Sequence, residues 1–452
     1  MNVDLVVKNG KIVSSQGTYE GDDIAVKDGK IVAIDRQGSF PEASEVVDAT
    51  GKYVLAGIID AHVHFREPGY EYKEDFGTGS RAAAYGGVTT VLDMPNNLPF
   101  CSTAKALKEK MDLVAPKAFV DYGLVVAVVG ETVEQIPALA EAGANVYKIF
   151  MGSTVGGVPA PDDGGMLRAF QLVKETGLRI GVHAENNPIM DYLTAKLKAA
   201  GRTDPLAHVE ARPSVAEAEA IQRAILLAGE AGCKLHIYHL SSKEGTQMIR
   251  EARAKGQDVS AETGPHYLLL TEDYMEKVGG ILKMNPPIRS KDHGEALWQG
   301  IFDGTIGVID TDHSPHSLEE KFNDENDIWK VVPGFVGVET EVTTMLTQVN
   351  AGKLSLNDYV KLVTENPAKL FNLYPNKGTI KVGTDGDFTI VDMDKEGIID
   401  SDKLHSRFTV TPFNGWKVKG MPVCTIVRGN IVMKDGELVG EPIGKHINPS
   451  FS

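Results

Sequence analysis

Apolar and polar positions along the chain follow two different rhythms. Over roughly the first fifty residues, short β-type runs alternate with tight turns, as in DLVVKNGKIV (4–13) and DIAVKDGKIVAID (23–35). Asn9-Gly10 and Asp28-Gly29 have the composition of two-residue hairpin turns between such runs. The same idiom returns near the other end, in GTIKVGTDGDFTIVDMD (378–394) and TIVRGNIVMKDGEL (425–438). Two β-rich ends around a different middle predict one small β-domain, 1–52 plus 374–452, built from both termini.

Between residues 53 and 373 the texture changes. Strand-like apolar runs fall at 54–59, 88–92, 118–125, 146–150, 178–183, 235–240, 258–261 and 306–309. Segments rich in Ala, Leu, Glu and Lys, such as 103–114, 163–176, 214–232 and 242–256, carry a helical pattern between them. Eight strand–helix alternations predict a (β/α)8 barrel, so the expected fold class is α/β: a TIM-type barrel with a small β-sandwich domain. In such a barrel, functional groups sit at the C-terminal ends of the strands.

Composition adjusts this picture only slightly. The 452 residues exceed the roughly 250 of a typical barrel, which leaves room for the companion domain. A net charge of -16 argues against nucleic-acid and anionic-membrane partners, without excluding an anionic substrate in a locally basic cleft. Three scattered cysteines, Cys101, Cys233 and Cys424, suggest no disulfide framework and fit a reducing compartment. The start MNVDLVVKNG has no signal-peptide character, and no apolar stretch approaches a membrane span, so a cytoplasmic location is expected.

The strand ends carry the chemistry. In DAHVHFREPG (60–69), His62, His64 and Arg66 are two residues apart and share one face of the strand. A His-x-His pair alone is satisfied by backbone groups as readily as by a metal. The other strand ends tip the balance: Lys148 in VYKIFMG, His183 in IGVHAEN, His239 in HIYHLSS and Asp312 in VIDTDHSPH. Ligand-type residues on one rim predict a metal centre. A buried cationic lysine beside a metal would be repulsive, but a neutral amine reacts with carbon dioxide to give an anionic carbamate that can bridge two ions. Such a pair would activate water for hydrolysis of an amide-type bond, with Asp312 moving the proton from the water to the leaving nitrogen. His236 reads as a packing or supporting residue, and His208, His293, His405 and His446 as solvated. Arg66 has a bland alternative as a local ion-pair partner of Glu67, Glu71 or Asp75.

The chain resembles the amidohydrolase superfamily, specifically its cyclic-amidase branch of dihydroorotases, allantoinases, hydantoinases and dihydropyrimidinases. The resemblance rests on GIIDAHVHFREPG, GTGSRAAAYGGVTTVLDMPN, YKIFM, HAEN, YHLSS, ETGPHYL, NPPIR and DHSPH taken together, across nearly the whole chain. It implies two divalent ions, zinc by preference, with His62, His64, Lys148 and Asp312 on one and Lys148, His183 and His239 on the other. It also implies an N6-carboxylated Lys148, a homodimer or homotetramer, and metal-hydroxide attack on a ring carbonyl. In dihydroorotases the arginine matching Arg66 binds the substrate carboxylate. Asn96 and His316 are its expected partners, and Asn285 is expected on the ring amide. The leading expectation is therefore reversible opening of dihydroorotate, an anionic ring, to N-carbamoyl-aspartate.

Some positions depart from that pattern. Asn97 stands where a threonine is usual, and HVEARPSVAEAEAIQRAILLA (208–228) and ENDIWKVVPGFVGVET (325–340) look more like allantoinases and hydantoinases. The tyrosine that dihydropyrimidinases carry five residues after the lysine is Ser153 here. Allantoinase or hydantoinase/dihydropyrimidinase activity is the alternative, followed by a non-catalytic relative. A mononuclear deaminase using Glu185 is the weakest reading, because it leaves Lys148 without a role.

Overall fold

The computed structural model describes residues 3–40, 43–322 and 327–451. Eight parallel strands follow one another in chain order around a single sheet. They are β1 (Ile58–Val63), β2 (Val88–Asp93), β3 (Asp121–Ala127), β4 (Val146–Phe150), β5 (Arg179–His183), β6 (Leu235–Ile237), β7 (Val259–Thr263) and β8 (Val308–Ile309). A parallel bridge between Val63 and His313 brings the last strand's exit against the first, with His64 N–H donating to His313 O at 2.8 Å. Every residue of β1 to β8 is buried, as expected for strands covered on both faces.

The helices over the barrel fall where the amphipathic segments predict: Ala104–Val114, Asp163–Thr176, Ser214–Ala231 and Lys243–Ala254. Thr103, Asp162 and Ser242 begin three of them by accepting a backbone N–H with their side chains. Among the described residues no helix is long and apolar enough to cross a membrane.

Both ends of the chain meet in the β-region. Phe388–Ile398 pairs antiparallel with Tyr53–Ala56, and Lys11–Ser14 lies parallel on the other side of Tyr53–Ala56, within a seven-stranded sheet. A four-stranded sheet of Val3–Lys8, Asp22–Lys27, Lys30–Arg36 and Ala43–Asp48 packs on it through Leu5, Ile24, Val54, Phe388 and Ile426. Lys377 fastens this region to the barrel: its Nζ lies 2.5 Å from Asp121 at the start of β3, 2.5 Å from Asp387 and 3.0 Å from Asp385.

Three local expectations are corrected. The run 54–59 is not one strand: the chain leaves the seven-stranded sheet at Ala56, passes Gly57 and enters the barrel at Ile58. A Cβ on Gly57 would sit 2.2 Å from Thr89 Oγ1, so only glycine fits that crossing. Asn9-Gly10 is not a hairpin, since its flanking strands belong to different sheets. Asp28-Gly29 is one, with positive φ at both positions (50° and 78°) and strands paired on either side. Finally, His208 is buried, with Nε2–H donating to Met284 O at 2.9 Å, while His293, His405 and His446 are half-buried rather than solvated.

Candidate active site

The C-terminal mouth of the barrel gathers all six residues expected as metal ligands. His62 and His64 come from the end of β1, Lys148 from β4 and His183 from the last position of β5. His239 follows β6 and Asp312 follows β8, each in a left-handed backbone conformation (φ 38° and 46°). Such conformations are costly for a non-glycine residue and concentrate at functional sites. Asp312 Oδ1 lies 3.1 Å from His64 Nε2 and 3.4 Å from His62 Nε2. Lys148 Nζ is 3.0 Å from His62 Nε2, and His183 Nδ1 is 2.8 Å from His239 Nε2. His62 and His239 have ring centroids 5.4 Å apart, so the two groups form one cluster.

Burial sets the charge state of this cluster. It pulls His62 down to about 4, helped by the neighbouring Lys148 charge. Burial pushes His64 well below its ordinary value, reinforced by Arg66, and does the same to His239, reinforced by His183. These imidazoles are neutral at neutral pH, the form that offers a nitrogen lone pair. Lys148 is buried under the ring of Tyr238, and desolvation lowers it to about 8 against the opposing charges of Asp312, Glu262 and Asp310.

The far nitrogens of three imidazoles are held in turn. His62 Nδ1 meets Glu262 Oε1 at 2.5 Å, His64 Nδ1 meets Asn96 Oδ1 at 2.7 Å, and His183 Nε2 meets Glu185 Oε2 at 2.9 Å. Nδ1 of His239 is buried without a partner. Neutral imidazoles, an amine and a carboxylate, with the ligand atoms of His62, His64 and Asp312 within 4.8 Å of one another, suit a divalent ion of the zinc type.

Arg66 is 2% exposed and also in a left-handed conformation (φ 64°). Its Nη2 donates to Ser314 Oγ at 2.5 Å and lies 3.1 Å from His316 Nε2, while Nε and Nη1 are buried with no partner. The local ion-pair alternative fails, because the carboxylates proposed for it are engaged elsewhere. Glu67 takes Lys117 and the Phe76 N–H, Glu71 the Gly69 N–H, and Asp75 caps the helix Phe76–Tyr85 and meets Arg407. Arg66 instead lines the cleft over the cluster, with Thr154, Val155, Met284, Asn285 and Pro333 among its walls.

The expected partners of Arg66 are placed differently from one another. His316 stands behind the guanidinium, its Nδ1 3.3 Å from both Lys73 Nζ and Glu320 Oε2. Asn96 faces the cleft, but its amide is used at both ends, by His64 and by donation to Val155 O at 3.1 Å. Asn285 lines the cleft with its amide oxygen oriented to accept from Arg212 Nη2 at 3.2 Å.

Sequence reasoning missed Glu262 and Ser314. Glu262 sits near the end of β7, a barrel strand from whose residues no candidate was drawn, and the strand-end rule already pointed to it. Ser314 lies inside DHSPH, overshadowed by its ionisable neighbours. A larger cavity of about 740 Å³ lies at the opposite end of β7 and β8, beside Val259, Ser260, Ile306 and Gly307, and gathers no comparable donor set among the described residues. The segment ENDIWKVVPGFVGVET begins at residues 325 and 326, which lie outside the described residues; from 327 onward it supplies Pro333 to the cleft.

Comparison with known proteins agrees with this geometry. The Amidohydrolase family model matches residues 53–432. The L-hydantoinase of Paenarthrobacter aurescens is 40% identical over 97% of this chain and 96% of its own length. An allantoinase of Rubrobacter xylanophilus is 37% identical over 99% and 98%, and a dihydroorotase of Methanothermobacter thermautotrophicus 38% over 94% and 93%. The solved L-hydantoinase (dihydropyrimidinase) from Arthrobacter aurescens superimposes with a TM-score of 0.95 at 40% identity, covering 99% of this chain and 100% of that one. With its barrel, its strand-end cluster and these matches, the chain belongs to the amidohydrolase family, in the cyclic-amidase branch, and is an enzyme of that hydrolase class.

Proposed function

We propose that this enzyme opens a cyclic amide ring that carries an anionic substituent, of which dihydroorotate is the leading case, at a centre of two divalent ions. His62, His64 and Asp312 would hold one ion, His183 and His239 the other, and Lys148 would supply the group between them. Bound there, zinc ions would provide a nucleophile from water near neutral pH and polarise the scissile carbonyl.

The remaining work falls to side chains. Neutral Lys148 can take up carbon dioxide: its nitrogen lone pair forms a C–N bond to the carbon, one C=O π pair moves onto oxygen, one N–H proton leaves, and the neutral amine becomes an anionic carbamate. Neutral His62, His64 and His239 keep their lone pairs available, and Glu262, Asn96 and Glu185 hold the far nitrogens of His62, His64 and His183. Asp312, beside both β1 histidines, accepts the proton released by the attacking water and returns it to the departing ring nitrogen. Arg66 binds the anionic substituent through its two free nitrogens, and Ser314 and His316 hold its third.

The free edge of Arg66 carries this reading. A buried guanidinium with two unpartnered nitrogens is costly unless a ligand completes it. Whole-chain similarity favours a second reading, a hydantoin or allantoin ring, since a hydantoinase is 40% identical and the dihydroorotase 38%. Turnover of dihydroorotate, allantoin and hydantoin by the zinc-loaded enzyme decides between them. Preference for dihydroorotate supports the anionic ring; preference for hydantoin leaves the hydrolase and removes the carboxylate.

A further inference from the structure

One buried carboxylate touches both halves of the proposed metal centre. Glu262 is fully buried near the end of β7, between β6 and β8. Its Oε1 accepts two hydrogen bonds: one from His62 Nδ1–H at 2.5 Å and one from the backbone N–H of His239 at 3.1 Å. Its Oε2 is 2.8 Å from His236 Nε2, and His236 Nδ1 is 2.8 Å from Ser260 Oγ. An ionised carboxylate only accepts, so His62 carries its proton on Nδ1 and His236 on Nε2. That leaves His62 Nε2 free to face Lys148 and Asp312, and His236 Nδ1 to accept from the Ser260 hydroxyl.

We infer that Glu262 is a positioning residue that couples the two metal positions, because a single oxygen fixes one ligand of each. For His62 the bond sets tautomer and ring orientation. For His239 it anchors a backbone held at φ 38°, which decides where the imidazole points. The same carboxylate therefore supports both sides of the cluster, and its loss is felt at both. His236 and Ser260 are the props behind it, one step removed from any ligand.

This inference rests on the two-metal reading, and its test separates the two. Metal-free wild type, Glu262→Gln and His236→Asn are titrated with zinc against a chromophoric chelator, and with cobalt by visible absorption. Circular dichroism shows that each variant is folded. Glu262→Gln removes the charge and is expected to weaken both sites by about 10- to 100-fold. It is also expected to alter the cobalt spectrum, whereas His236→Asn, which leaves both Oε1 bonds in place, changes affinity by less than about threefold. A folded Glu262→Gln that binds two ions with wild-type affinity, or is weakened at one site only, overturns the inference. Equal loss in Glu262→Gln and His236→Asn overturns it as well, because the role would then be general support of the core. Wild type that itself binds fewer than two ions overturns the two-metal reading and the coupling with it. Should Glu262→Gln not fold, Glu262→Asp keeps the charge but cannot reach both donors, and the same double loss is required of it.

Discussion

Replacing Arg66 with methionine is expected to have two effects of opposite sign. In the free enzyme the guanidinium makes one hydrogen bond to Ser314 and one contact with His316, while Nε and Nη1 have no partner. Burial drags its ionisation down to about 10, which reports how poorly the charge is accommodated. A buried unsatisfied donor costs about 1–3 kcal/mol, and a hydrogen bond from a charged donor contributes about 1.5–3 kcal/mol. Losing two of the former, about 2–6 kcal/mol together, and one of the latter leaves the variant between about 1 kcal/mol less stable and about 4.5 kcal/mol more stable than the parent. With an anionic ring bound the balance reverses. Truncating one member of a buried charge pair costs about 2–5 kcal/mol. That is about 30- to 5,000-fold in kcat/KM, since each 1.36 kcal/mol is tenfold. The assays are ring opening followed by release of the carbamoyl product, on an anionic ring and on the same ring without its charge, together with urea unfolding. The reasoning is refuted if kcat/KM on the anionic ring stays within about threefold of the parent, if both rings lose equally, or if the variant is markedly less stable.

Other outcomes follow from the same geometry. With Lys148 lowered to about 8, about one amine in ten is neutral at pH 7, against about three in ten thousand for an ordinary lysine. Carbamate formation in metal-free enzyme, followed with ¹³C-labelled bicarbonate, should therefore rise about tenfold per pH unit up to about pH 8 and level off above it. A midpoint near the ordinary lysine value contradicts this. Lys377→Met leaves Asp121, Asp385 and Asp387 facing one another at the joint between barrel and β-region, with Arg428 still on Asp121 and Lys30 still on Asp385. It should cost about 3–5 kcal/mol in urea unfolding; a loss below about 1 kcal/mol would mean that the joint is held by apolar packing instead.

The barrel was legible because its strands are short, continuously apolar and spaced by well-patterned helices, so period and length identified them together. The cluster was legible for a related reason: polar residues at the end of an apolar run have few other uses, and His62, His64, Lys148, His183, His239 and Asp312 all sit there. What stayed hidden depends on which sheet or face a residue joins. An all-apolar run such as 54–59 does not reveal that it changes sheet at Gly57. Asn9-Gly10 has hairpin composition, yet Gly10 is there because a Cβ would lie 2.5 Å from Val54. His208 sits on a short helix whose inner face is covered by a loop distant in sequence. Glu262 is held by His62 and His236, contacts of 200 and 26 residues' separation that no local pattern encodes. The ring that binds is not written in the motifs either, because motifs shared by hydantoinases and dihydroorotases stand in this chain beside Arg66.

The two-metal centre is tested most directly by counting metal. Protein prepared with zinc and bicarbonate, freed of loosely bound ions and analysed by elemental mass spectrometry, is compared with Lys148→Met prepared identically. The account predicts two divalent ions per chain in the parent, and at most one in the variant, with ring-opening activity lost in step. One ion or none in the parent, or two ions retained without Lys148, would contradict it.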